Sequence, residues 1–138
     1  MTGSMSRRKG QSGELEAAAL LTAITGRSVK RRVRQHDGDC DLEGLPGWSV
    51  EIKRYAKFSA AKVSGEWWPQ ALDQARATKT LPLLLYRVDR GHWTAVWCAD
   101  LQTGHRPIRP GFEATLTGDP QTWWAIAGSK FTAGSKPE

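Results

Sequence analysis

Apolar and polar residues alternate along Trp48-Ser49-Val50-Glu51-Ile52-Lys53-Arg54, with Trp48, Val50 and Ile52 facing one way and Ser49, Glu51 and Lys53 the other. That is the pattern of a half-buried strand. Leu81 to Val88 is a continuous apolar run with Pro82 near its start, which fits a buried strand. Asp89-Arg90-Gly91 supplies a short hairpin loop into a second alternating strand, His92 to Trp97. A more exposed strand is expected over Ser28 to Arg34, and turns at His36–Asp39 and Leu42–Gly47. Helical signals fall elsewhere. Gly13 to Thr25 is rich in Glu, Ala and Leu, with Ser12 or Gly13 as cap, Gly26 as terminator, and Glu14 and Glu16 suiting the helix dipole. Glu66 to Thr78 predicts a second helix with Pro69 in its first turn, and Asp119-Pro120 opens a short last one through Trp123, Trp124 and Ile126. The order predicts a single α/β domain with a central mixed β-sheet flanked by helices.

The length of 138 residues agrees with one domain. No apolar run reaches the ~18–20 residues of a membrane span, and no secretory leader pattern opens the chain. Cys40 and Cys98 make no disulfide framework. These features predict an intracellular protein of the cytoplasm.

Charge adds a partner. The chain carries 20 Lys+Arg against 14 Asp+Glu, a net +6, and residues 1–62 account for +5 of it. The clusters are Arg7-Arg8-Lys9, then Lys30-Arg31-Arg32 with Arg34, then Arg54 with Lys57 and Lys62. Lys and Arg that neutralise phosphates release condensed counterions, so a polyanion is the natural partner, with a solvated face as the plain alternative.

The chemistry-bearing segment is Asp41-Leu42 followed by Glu51-Ile52-Lys53. A strand projects residues i and i+2 from one face, so Glu51 and Lys53 stand side by side while Ile52 points into the core. With Asp41 on a neighbouring strand, two carboxylates, one ammonium and the Ile52 backbone carbonyl converge. Two carboxylates plus a carbonyl suit Mg²⁺, with Mn²⁺ as a substitute, and the lysine can offset charge on a phosphoryl group. A surface ion pair between Glu51 and Lys53 is the bland reading.

An aspartate followed by Glu-x-Lys on a hairpin, after a helix bearing a glutamate, resembles the PD-(D/E)xK nuclease superfamily. Within it the chain is most similar to the archaeal (Hjc-like) and phage Holliday junction resolvases. Their Lys-Gly-x-x-x-Glu signature resembles Lys9-Gly10-Gln11-Ser12-Gly13-Glu14, their Asp-hydrophobic pair Asp41-Leu42, and their Glu-x-Lys Glu51-Ile52-Lys53. The likeness covers about Arg8 to Trp97. It departs at His36-Asp37-Gly38-Asp39-Cys40, where the archaeal enzymes carry a Gly-Ser stretch. The resemblance implies a restriction-endonuclease-like core with Glu14, Asp41 and Glu51 at the metal, Lys53 as catalytic lysine, and Glu16 or Asp39 as alternates. Around the nuclease core, set at 13–99, the polar and basic residues 1–12 predict a flexible arm, and residues 100–138, which the resemblance does not reach, predict an extension with a short helix in the same domain. The resemblance further implies cleavage of branched DNA in recombination or phage DNA packaging, by a homodimer because resolution needs two symmetric nicks. A nuclease acting on duplex ends or restriction-type sites, or a non-catalytic nucleic-acid-binding module, are the rival readings.

Other features carry less. Asp37-x-Asp39-x-Asp41 lacks the glycine and the final glutamate of a calcium loop, and His36, His92 and His105 show no zinc spacing. Gln70 and Gln74 share a helix face as supporting candidates. Tyr55 is a candidate phosphate contact. Trp67-Trp68 fits core packing better than base stacking.

Overall fold

The computed structural model describes residues 3–32, 41–104 and 107–132, with side chains from residue 12 onward. The sheet has strands β3 (Trp48–Tyr55), β4 (Leu81–Val88), β5 (Thr94–Cys98) and β6 (Thr115–Gly118), in that spatial order. β3 and β4 run parallel, in register from Trp48↔Leu81 to Tyr55↔Val88, while β4–β5 and β5–β6 are antiparallel. The sheet is therefore mixed, as expected. A small antiparallel ribbon, β1 (Lys30–Arg31) with β2 (Leu42–Glu43), hangs from the free edge of β3, where Asp41 N–H donates to Val50 O at 3.3 Å.

Helices cover both faces. Helix α1 (Gly3–Thr25) packs on β3 through buried Ala17, Ala18 and Leu21. It crosses β3 at Gly13, where a Cβ would stand 3.0 Å from Arg54 Cβ. The α1 face of β3 is thus the face of Arg54. Strand alternation puts Glu51 and Lys53 on the other face, toward α3 (Trp68–Thr78). β4 lies between the two helical layers, which is why Leu83, Leu84 and Leu85 are all fully buried.

The parallel pair requires a crossover. It begins at α2 (Ala60–Lys62), capped by Ser59, and passes through a π-helical turn (Val63–Trp67) into α3. The helix thus starts before the expected Glu66. Pro69 has no N–H for a regular helical bond, and Trp68 N–H reaches back to Val63 O in the wider turn. Trp67 and Trp68 are 0% and 1% exposed, so both serve packing.

Other elements also differ from expectation. α1 starts at Gly3 instead of Gly13, and no proline interrupts residues 3–25. It ends as expected, with Gly26 at φ 73° and its N–H donating to Thr22 O at 3.0 Å. The Ser28–Arg34 strand contracts to Lys30–Arg31 within the described residues. Leu42–Gly47 splits into β2 and a turn in which Gly44, at φ 112°, passes so close to Ser28 O that a Cβ would lie 2.2 Å away.

The C-terminal segment closes the sheet with β6 and adds α4 (Asp100–Thr103), neither of which was foreseen. Buried Asp100 accepts from Arg109 N–H at 2.9 Å and from its guanidinium at 2.6 Å, linking the start of α4 to Arg109. Asp119 caps α5 (Pro120–Trp123), as expected, by accepting from Thr122 N–H at 2.8 Å. Trp123 then meets Trp48 edge-on at 5.1 Å, anchoring this segment beside the start of β3. Beyond α5 come a second π-helical turn (Trp124–Gly128) and α6 (Ser129–Phe131). Among the described residues no helix is long and apolar enough to cross a membrane.

Candidate active site

The β3 edge assembles the site. Asp41 is held by its own backbone, which donates to Val50 O and accepts from Arg32 N–H at 3.0 Å. Its Oδ2 accepts from Ile52 N–H at 2.9 Å. A residue's N–H and C=O leave an extended strand on the same side, so the Ile52 carbonyl also faces the Asp41 edge. Glu51 and Lys53 form an ion pair at 3.4 Å, their side chains only 13% and 17% exposed. The two line an open groove of about 520 Å³ whose far wall is Gln70, Asp73, Gln74 and Ala77 of α3. Asp41, Glu51 and Lys53 are thus brought together at the surface of the protein.

Electrostatics set this cluster apart. Burial, and then the charge of Glu51, push the Asp41 carboxyl up to about 7, against the pull of the Ile52 hydrogen bond. Burial likewise raises Glu51, while Lys53 opposes the shift and Glu14 adds to it. Glu14 on α1 therefore acts electrostatically on both carboxylates, and Arg31 Nε holds it at 3.2 Å. Among the described residues no three His, Cys, Asp or Glu side chains form a ready-made metal cluster. Two mutually repelling, partly buried carboxylates beside a strand-edge carbonyl still fit a hard divalent cation, which needs only one or two carboxylates when substrate phosphates and waters complete its shell.

Glu16, the alternate to Glu14, is engaged elsewhere. It accepts from Arg54 at 2.6 Å and from Arg87 at 2.5 Å, and Arg54 also approaches Asp89 at 3.6 Å. Among the basic candidates, Arg54 belongs to that network, Arg31 pairs with Glu14, Arg32 with Glu43 at 3.6 Å, and Lys62 with Glu66 at 3.0 Å. Lys30 and Lys57 are exposed. The side chains of Arg7, Arg8 and Lys9, and residues Arg34, His36, Asp39 and Cys40, lie outside the described residues. Tyr55 stacks on Trp67 at 5.3 Å. Gln70 and Gln74 do face Glu51 and Lys53 across the groove. Asp73 was missed, although positions 70, 73, 74 and 77 follow the i, i+3, i+4, i+7 spacing of one helix face.

Comparison with known proteins defines the class. The family model of the phage putative PDDEXK endonucleases matches residues 5–101, and the chain belongs to that family. It is therefore a nuclease. Among solved structures, the 1.6 Å structure of Archaeoglobus fulgidus Hjc, a Holliday junction resolvase from an archaeal hyperthermophile, aligns with a TM-score of 0.46 at 16% identity, covering 94% of this chain and 99% of that one. No curated protein matches the chain.

Proposed function

We propose that this nuclease is a divalent-metal-dependent endodeoxyribonuclease that cuts branched DNA, with the four-way junction as its substrate. The observation that carries the reading is the convergence of Asp41, Glu51 and Lys53 at the β3 edge, beside an open groove. Asp41, Glu51, the Ile52 carbonyl and Glu14 would hold Mg²⁺, or Mn²⁺ in its place. Bound there, the cation supplies Lewis-acid stabilisation of the phosphoryl oxygens and a more acidic water.

The residues do the rest. The Ile52 N–H fixes the Asp41 carboxylate, so its orientation does not depend on the ligand. Glu51 holds Lys53 Nζ at the groove floor. From there the ammonium can orient the attacking water and offset charge as a water O–P bond forms and an ester P–O bond breaks. The basic side chains Arg7, Arg8, Lys9, Lys30, Arg31, Arg32, Arg34, Lys57 and Lys62 would grip the phosphate backbone, led by exposed Lys30 and Lys57, whereas Arg54 ties α1 to the sheet. Two symmetric nicks call for a twofold homodimer.

The test compares a four-way junction with linear duplex of the same sequence, in Mg²⁺ and in EDTA. Junction cutting that needs Mg²⁺ and is lost in Lys53→Ala and Asp41→Asn, while binding persists, supports the proposal. Equal cutting of both DNAs favours a duplex nuclease, and binding without cutting in any divalent metal refutes catalysis.

A further inference from the structure

The groove has two walls of different chemistry. The β3 wall carries Glu51 and Lys53; the α3 wall carries Gln70, Asp73, Gln74 and Ala77. Lys53 is the one cation among these lining residues, and it is already paired with Glu51. A phosphate backbone lying against the groove-lining residues of α3 would meet a carboxylate and two neutral amides with no Lys or Arg among them, although phosphate contacts are made mainly by cations and backbone N–H groups. Amide and carboxylate side chains instead match base edges. Gln pairs with adenine, Asp accepts from the exocyclic amino group of cytosine, and an alanine methyl packs on the thymine methyl.

A second observation points the same way. Gln74 is one of the groove-lining residues, and its Nε2 is buried with no hydrogen-bond partner among the described residues. A buried amide without a partner is costly, and an incoming acceptor would relieve that cost. Gln70 and Asp73 are exposed at the mouth, so a nucleobase can reach them without displacing protein.

We propose that the Gln70–Asp73–Gln74 face of α3 contacts nucleobase edges next to the scissile phosphate and gives the enzyme a sequence bias around its cut. This inference rests on the nuclease reading. Asp73 is the discriminating residue because a carboxylate only accepts hydrogen bonds. On the major-groove edges it favours adenine and cytosine, which present amino groups there, and repels the keto oxygens of guanine and thymine; the guanine amino group lies in the minor groove.

The experiment reads base frequencies at each position flanking the cut, from a junction library randomised around the branch. The purified chain is compared with Asp73→Ala, Asp73→Lys and Gln70→Ala. The proposal expects one flanking position at which adenine plus cytosine outnumber guanine plus thymine by about tenfold. The enrichment should flatten in Asp73→Ala, turn toward guanine in Asp73→Lys, and weaken in Gln70→Ala. A profile identical in wild type and Asp73→Ala overturns it. So does a gain of Asp73→Lys on all sequences alike, because that outcome places phosphate against the wall. A parallel selection of bound DNA, in Ca²⁺ without cleavage, separates the two readings. If nothing is cut but bound sequences keep an Asp73-dependent preference, base contact by α3 stands, while the bias around a cut falls with the nuclease reading. If cutting is efficient and the Asp73 profile is flat, the nuclease reading stands and base contact by α3 fails.

Discussion

The two faces of β3 hold carboxylates under opposite conditions. On the α1 face, Glu16 lies between Arg54 and Arg87, and Arg54 also approaches Asp89, so opposite charges alternate. At the groove edge, Asp41 and Glu51 crowd together with Glu14 nearby; burial and then the charge of Glu51 raise Asp41, and burial and then the charge of Glu14 raise Glu51 against the pull of Lys53. The first arrangement ties a helix to a sheet. The second works against the folded state while both groups are ionised. Like charges gathered where they cost stability mark a site under functional demand, and charges paired in sequence-distant elements mark architecture. The same strand supplies both.

Breaking the groove-edge cluster should have the largest effect. Asp41→Asn, Glu51→Gln and Lys53→Ala should each lower the rate of DNA cutting by about a thousandfold or more, measured by single-turnover cleavage. Asp41→Asn should also leave the metal-free protein at least as heat-stable at pH 8, since it removes a repelled charge. Breaking the α1-face network should do the opposite. Glu16→Ala leaves two partly buried arginines without their shared partner and should cost about 1–3 kcal/mol by denaturant unfolding. Cutting by the fraction still folded should persist.

Acidity sharpens the contrast. Folding raises Asp41 from its ordinary 3.8 to about 7, so in the metal-free protein this group's contribution to stability is complete below about pH 4 and is lost as the pH climbs through 7. In EDTA the melting temperature should fall between pH 5 and pH 8, and the fall should be smaller in Asp41→Asn. Mg²⁺ or Mn²⁺ should restore more stability at pH 8 than at pH 6, because the cation competes with the proton. The smallest effect belongs to the rim. Lys57→Ala should weaken DNA binding only a few-fold and reduce the salt dependence of binding by about one unit of slope.

How far the sequence discloses this molecule depends on the range of each signal. The Glu51/Lys53 pairing was legible because strand alternation is a two-residue pattern, and the apolar run of β4 announced a strand covered on both faces. The Asp119 cap was legible because its partner lies three residues away. β2 and β6 were not, since segments of two and four residues hardly establish a period. The choice between Glu14 and Glu16 lies in partners 17, 38 and 71 residues away in the chain, Arg31, Arg54 and Arg87. Arg54 read as part of a basic cluster; only the crossing of α1 at Gly13 reveals that it faces a helix. Asp73 escaped notice because a helix face gains meaning only from the wall opposite it.

The most direct check is calorimetric titration of the metal-free chain with Mn²⁺ near pH 7, repeated in buffers of different ionisation heat. Saturable binding with release of a fraction of a proton, both lost in Asp41→Asn, is the predicted result. Absence of binding in the wild type, or heats and proton release unchanged by that substitution, would contradict it.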